Sequence, residues 1–324
     1  MLQRPVAVVA GASGFVGTAL VRSLADDGYE VRQIGRTGKV TWLDAAGIAG
    51  AIDGCSILVN MAGKSVNCRY TDRNRNEILR SRIDTTRALR AAVQSAAHPP
   101  SVWFNASTAT IYRHAMDRPH TETDGEFGEG FSVDVARNWE QEFFGGHLPG
   151  TRRVALRMAI VLGDGPATNT LITLARLGLG GPQIDSWWFP HRRYRGIGPT
   201  PSGSGRPAWH RTRGFQKFSW VHLDDVIAAI RFLRDRDDIS GAVNIASPNP
   251  SDNRTLMRNL RESVGMAAGV PAWRWMLEPA MWVLRTEPEL VLKSRWVLPG
   301  TLTAAGFTFQ HPDLSAAIRD VTTR

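Results

Sequence analysis

Val6-Ala-Val-Val-Ala10 runs without a break into Gly11-Ala-Ser-Gly14-Phe-Val-Gly17, and an amphipathic stretch follows to Asp26. The apolar run reads as a buried strand and the glycines as a turn into a helix. There, backbone N–H groups and the positive end of a helix dipole converge on one point, which suits a pyrophosphate. Gly11 makes the tight turn, Gly14 lets phosphate oxygens approach the backbone, and Gly17 lets the helix pack closely. A glycine triplet alone is a weak signal. With a strand before it and a helix after it, it becomes a dinucleotide-binding fingerprint that also takes in Ser13, Phe15 and Val16.

Tyr29-Glu-Val-Arg-Gln-Ile34 reads as the second strand and ends in Gly35-Arg36-Thr37-Gly38-Lys39. NAD(H) sites usually place an acid here, roughly 20 residues beyond the glycines, to hold the ribose 2′-OH. This chain has Arg36, with Thr37 beside it and Lys39 nearby. A guanidinium grips a 2′-phosphate through charge-assisted hydrogen bonds, whereas a carboxylate would repel it. The expectation is NADP(H) rather than NAD(H); the alternative is a solvated surface arginine.

The 324 residues are enough for one large or two modest domains. Cys55 and Cys68 form neither a disulfide framework nor a metal-ligand spacing, so no metal is expected. The start of the chain carries no charged-then-apolar leader and no apolar run is long enough to span a bilayer, which gives a cytoplasmic expectation. The net charge of +9, with a pI near 10.3, favours anionic ligands. It is unevenly spread. No acid lies between Asp185 and Asp224, while Arg192, Arg193, Arg195, Arg206, Arg211, Arg213 and Lys217 accumulate there.

Further strands are expected at Gly54–Asn60, Ser101–Asn105, Val154–Leu162, Phe218–Leu223, Ala242–Ala246 and Phe307–Phe309. Helices are expected over Asp72–Ala97, Ser132–Gly145, Leu171–Leu179, Asp224–Leu233 and Leu314–Val321, with a broken helical pattern from Asn253. Alternating strands and helices, with strands apolar on both faces, imply an α/β fold with a doubly wound parallel sheet.

These pieces resemble the extended and atypical short-chain dehydrogenase/reductases, the epimerase-like branch. The markers are the glycine turn, Asn60-Met-Ala-Gly63, Ser107-Thr-Ala-Thr-Ile-Tyr112, Leu156-Arg157 with Leu162-Gly163, and Trp220-Val-His-Leu-Asp-Asp225. Leu79-Arg-Ser-Arg-Ile-Asp84, Leu177-Gly-Leu-Gly-Gly-Pro182, Asn244–Pro250, Arg295–Pro299 and Ala304–Phe309 resemble one subfamily, epimerase family proteins with a C-terminal domain of unknown function. The resemblance implies a Rossmann domain from 1–165 plus 218–247 and a smaller substrate-side domain from 166–217 plus 248–324. It places the nicotinamide near Ala62, Gly63, Thr108 and Tyr112, with Ser107 also among the cofactor-binding residues. It also implies an NADP(H)-dependent oxidoreductase or epimerase acting on a small anionic substrate; the alternative is a non-catalytic NADP(H)-binding regulator.

Active members of that superfamily pair a Tyr-x-x-x-Lys with an upstream Ser or Thr, the lysine lowering the phenol's pKa for proton transfer. Here the segment reads Phe131-Ser-Val-Asp-Val135, and neither Phe131 nor Val135 can move or tune a proton. Thr108 remains to orient the reacting oxygen and Tyr112 is the candidate proton donor, with packing beneath the cofactor as its alternative. Arg157 reads as a buried hydrogen-bonding post, and Asp224 and Asp225 as helix caps.

The stretch 184–214 interleaves aromatics with arginines and shows no periodicity, so a long loop or partly ordered insert is expected. A substrate lid, a subunit contact and an inert insertion all fit it. No nucleic-acid module accompanies it, and specific nucleic-acid binding is not expected. Trp273, Trp275, Trp282 and Trp296 lie among leucines and methionines, which reads as core packing of a small domain rather than membrane attachment. A monomer or homodimer without membrane insertion is the resulting picture.

Overall fold

A computed structural model describes residues 4–207 and 209–323; Met1–Gln3 at the head of the chain, Ala208 within the insert and Arg324 lie outside it. The main sheet among the described residues has seven parallel strands. They are β1 (Val6–Ala10), β2 (Glu30–Gly35), β3 (Val40–Thr41), β4 (Ile57–Asn60), β5 (Val102–Thr108), β6 (Arg152–Met158) and β11 (Gly241–Ile245). Their order is β3-β2-β1-β4-β5-β6-β11, so the direction of winding reverses between β1 and β4, where open α/β sheets bind ligands at their carboxyl ends.

The strands are apolar on both faces because both faces are covered. Ala7, Val9, Val59 and Phe104 pack with α1 (Phe15–Asp26) and α6 (Leu223–Arg234). Their neighbours Val8, Leu58 and Trp103 face the other way, onto α2 (Ala45–Ile52), α3 (Asp72–Ser95) and α4 (Phe131–Phe144). Side chains alternate along a strand, so one apolar run feeds two cores. The fold is Rossmann-type α/β.

The expected strand over 154–162 is divided. After Met158 the chain leaves the sheet, and β7 (Ile160–Leu162) pairs with β10 (Trp220–His222). Two more short ladders bracket the insert: β8 (Gln183–Ile184) with β13 (Ala272–Trp273), and β9 (Lys217–Phe218) with β12 (Ser251–Asp252). The helices α5 (Pro166–Arg176), α7 (Asn253–Ser263), α8 (Arg274–Val283), α9 (Glu289–Leu292), α10 (Gly300–Ala304) and α11 (Leu314–Thr323) complete the described elements. Contacts between α7 and both α5 and α11 build a satellite core.

Three local expectations are corrected. Phe307–Phe309 forms no strand; its rings pack edge-on, Phe307 lying 5.4 Å from Phe232 and 4.8 Å from Phe309. His222, not Asp224 or Asp225, caps α6, its Nδ1 accepting from the Asp224 amide at 3.2 Å. Asp225 instead accepts from the amides of Gln310 and His311 at 2.6 and 3.0 Å, tying in the C-terminal segment. Finally, Trp273, Trp275 and Trp282 are exposed rather than packed in a core, and Trp296 lies under the Lys217 ammonium. No helix of the described residues is long and apolar enough to cross a membrane.

Among its described residues the 184–214 stretch has only the end of β8 and one short turn of helix at Arg192–Tyr194, yet it is firmly held. The carboxylate of Asp134, buried in the first turn of α4, accepts from the amides of Ile197 and Ser202 at 3.0 and 2.7 Å and from the Ser202 hydroxyl at 2.6 Å. Arg75 of α3 donates to the carbonyls of Arg192, Arg195 and Gly196. Two side chains of the Rossmann layer thus add partners to a loop backbone that its own irregular path pairs only in part.

Candidate functional site

The glycine turn has the geometry its sequence requires. Gly11 has φ +79°, and a Cβ there would lie 2.7 Å from the Ala62 amide nitrogen. A Cβ on Gly17 would lie 2.3 Å from the Gly11 carbonyl oxygen, so any side chain would push α1 off the turn. Gly14 precedes α1 with no side-chain cap, and no acid occupies the helix's first turn. Those first amides and the dipole are therefore free to meet an anion. Arg36 and Thr37 are exposed just past the end of β2, whose Ile34 carbonyl accepts from the Gly11 amide at 3.0 Å. No carboxylate lies within ion-pair range of Arg36 among the described residues.

A cavity of about 440 Å³ opens from this turn across the strand ends. Its walls bring together Gly14, Phe15, Val16 and Gly17 from the turn, Ala62 and Gly63 from the end of β4, and Ser107 and Thr108 from the end of β5. Gly11 and Ser13 belong to the same turn without lining the cavity. Buried amides hold the β4 end in place: Asn60 accepts from the Ala62 amide at 3.0 Å and donates to Asn105 at 2.7 Å. Thr108 accepts from the Thr110 amide at 3.1 Å, which fixes its side chain and leaves its hydroxyl proton to give.

Tyr112 does not reach the cavity. Its hydroxyl donates to Asn244 Oδ1 at 2.9 Å and accepts from Arg157 at 2.9 Å. Burial pushes its phenol up from the ordinary value, an effect the neighbouring Arg157 guanidinium opposes. Arg157 is the expected buried post, clamped by both oxygens of Glu140 at 2.8 and 2.7 Å. Ser107 lines the cavity, but its hydroxyl donates to the same Glu140 at 2.5 Å. Tyr112 is therefore a member of a buried network that supports the ends of β5, β6 and β11 rather than a proton donor.

Phe131 and Val135, one turn apart at the start of α4, do line the cavity, as Thr108 does. The wall residues that the sequence did not single out include Tyr70, Ser132 and Arg82. Arg82 donates to the carbonyls of Lys64 and Ile78, and lies 5.0 Å from the Trp139 ring centroid. Burial brings its guanidinium down to about 10, and no carboxylate is within ion-pair range among the described residues.

A second cavity of about 490 Å³ lies beyond Phe131, which lines both. The insert supplies Asp185, Tyr194, Arg206 and His210; the later chain supplies Arg274, Glu289 and Lys293. His114 stacks on His210 with centroids 3.4 Å apart. Burial, reinforced by His210 and nearby cations, brings His114 down to about 3, so it is neutral and Nδ1 accepts from the Ser294 amide. Lys293 donates to the Thr110 carbonyl at 2.8 Å, and burial lowers it to about 8.

The sheet order, the glycine turn and the uncapped helix define a Rossmann-type protein of the dinucleotide-binding class. Residues 7–130 match the model of the NAD dependent epimerase/dehydratase family, and residues 274–321 that of a domain of unknown function, DUF1731. The chain is thus similar to the NAD dependent epimerase/dehydratase family over its glycine-turn half and to proteins carrying DUF1731 near its C-terminal end. Over its whole length it is similar to the epimerase family protein SDR39U1 of Mus musculus, at 27% identity covering 97% of this chain and 98% of that one. It is equally similar to YfhF of Bacillus subtilis, at 27% identity over 95% of both. The crystal structure of human SDR39U1 (isoform 2) with NADPH superposes with a TM-score of 0.82, at 24% identity, covering 98% of this chain and 99% of the other.

Proposed function

We propose that the chain is an NADP(H)-dependent oxidoreductase or epimerase that acts on a small anionic substrate without a Tyr-x-x-x-Lys pair. The observation that carries the reading is Arg36, exposed and free of carboxylates where an NAD(H) site would present an acid. Gly11, Ser13, Gly14, Phe15, Val16 and Gly17 would hold the pyrophosphate, Arg36 and Thr37 the 2′-phosphate, and Ala62, Gly63 and Ser107 the nicotinamide side. When bound, the cofactor supplies or accepts a hydride. NADPH in the human SDR39U1 crystal structure supports this choice of cofactor.

Thr108 would orient the reacting oxygen from the floor of the cavity. Residues 166–217 and 248–324 would form the substrate side, with the pinned insert closing over the second cavity. Arg206, exposed and without an ion-pair partner among the described residues, and Lys293 would meet the substrate's negative charge. The apolar pair Phe131 and Val135 favours a second reading, a non-catalytic NADP(H)-binding regulator.

Turnover separates the two. NADPH oxidation is followed with a panel of small carbonyl compounds bearing a carboxylate or phosphate. The enzyme reading expects consumption that Arg206→Glu and Thr108→Val each suppress. Tight NADPH binding with no consumption across the panel would favour the regulator.

A further inference from the structure

The place of the missing phenol is taken by an apolar ring, but a phenol still stands against it. Tyr70 lies just before α3, and its ring meets Phe131 edge-on with centroids 4.6 Å apart. It is 6% exposed and lines the cavity with Thr108; its hydroxyl makes no hydrogen bond of good geometry, the Ser132 hydroxyl being the one side-chain group within reach among the described residues. A poorly satisfied buried hydroxyl costs free energy that a ligand in the cavity can recover. We propose that Tyr70 is the proton donor of this site, its hydroxyl taking over from the side of the cavity the work that residue 131 cannot do. This inference rests on the cofactor reading above.

The chemistry runs toward reduction. The Tyr70 Oη–H bond breaks as an O–H bond forms on the substrate's carbonyl oxygen, held by Thr108. The carbonyl carbon receives the hydride, with its two electrons, that the bound cofactor supplies, and the phenolate regains its proton from water. Several groups face the phenol. Glu287 accepts from the Tyr70 amide at 2.8 Å, Ser132 donates to Glu289 at 3.2 Å, and Cys68 lies nearby. Burial, helped by Glu289 and Glu287 and opposed by Ser132, raises the phenol above its ordinary value, so it gives up its proton only when positive charge enters the cavity. Arg82, whose guanidinium responds to Tyr70, is the cation at hand for the phenolate. It would take the part that lysine plays elsewhere, from α3 instead of α4.

The test is an ultraviolet difference titration of phenol ionisation in the full chain, free, with NADP⁺ and with NADPH, for wild type and Tyr70→Phe. The expected result is one phenol that ionises at lower pH only when the positively charged oxidised nicotinamide is bound, and that is lost in Tyr70→Phe. The variant should bind both nucleotides with wild-type affinity and melt close to wild type, because the lost hydroxyl makes no hydrogen bond of good geometry. Wild-type and variant titrations that superimpose with NADP⁺ bound would overturn the proposal while leaving the cofactor reading intact. A wild-type chain that binds neither nucleotide would overturn both.

Discussion

Arg157 and Tyr112 are joined by a 2.9 Å hydrogen bond in the core, and the same phenol hydroxyl donates to Asn244. This contact removes Tyr112 from the cavity and makes it structural. Tyr112→Phe should therefore leave NADPH binding and turnover unchanged. It strands one guanidinium N–H and one amide oxygen, so it should cost about 1–3 kcal/mol of stability in chemical denaturation. A loss of turnover at unchanged stability would return Tyr112 to the active site.

Glu140 stands at the centre of that network, accepting from both Ser107 and Arg157 with all three residues buried. Glu140→Ala leaves the Arg157 charge without its partner and should destabilise the fold by about 3–5 kcal/mol. Isosteric Glu140→Gln should cost less, because it keeps one acceptor. Equal melting temperatures for the two variants would contradict this order.

The turn tolerates no added methyl. Gly17→Ala places a Cβ on the Gly11 carbonyl, and the overpacking should cost about 1–3 kcal/mol. It should also weaken NADPH binding, since the amides move with α1. Calorimetric titration checks the second effect, and unchanged affinity would separate the turn from the cofactor.

Stability should fall on mild acidification, in a direction set by His114. Its folded value of about 3 lies below the ordinary 6.5, so the unfolded chain takes up a proton that the folded chain refuses. The His114 contribution is complete above pH 6.5 and is lost progressively from there down to about pH 3. His114→Asn, whose oxygen can still accept from Ser294, should flatten the drop in melting temperature between these limits. A wild-type slope retained in the variant would assign the acid sensitivity to other groups.

Local chemistry made much of the fold readable. Val6–Ala10 and Gly11–Gly17 carry the strand, turn and helix within a few residues of chain, and the long pattern of α3 repeats at helical spacing. What depends on distant partners was not readable. β7 leaves the expected strand because Trp220–His222 claims it, and the insert is ordered by Asp134 and Arg75, which come from helices far earlier in the chain. Tyr112 follows Thr108 closely enough to suggest a shared site, yet its partner Asn244 lies 132 residues away. Tyr70 carries no motif at all; only the contact with Phe131 and the poorly satisfied hydroxyl mark it.

The central claim is cofactor choice at the glycine turn and Arg36. Fluorescence titration of the purified chain with NADPH and with NADH, for wild type and Arg36→Asp, tests it most directly. A charge-assisted contact to the 2′-phosphate is worth about 1.5–3 kcal/mol, so wild type should bind NADPH at least about tenfold more tightly. Arg36→Asp should abolish or reverse that preference. Equal affinities in the wild type, or a preference for NADPH that survives Arg36→Asp, would contradict the account.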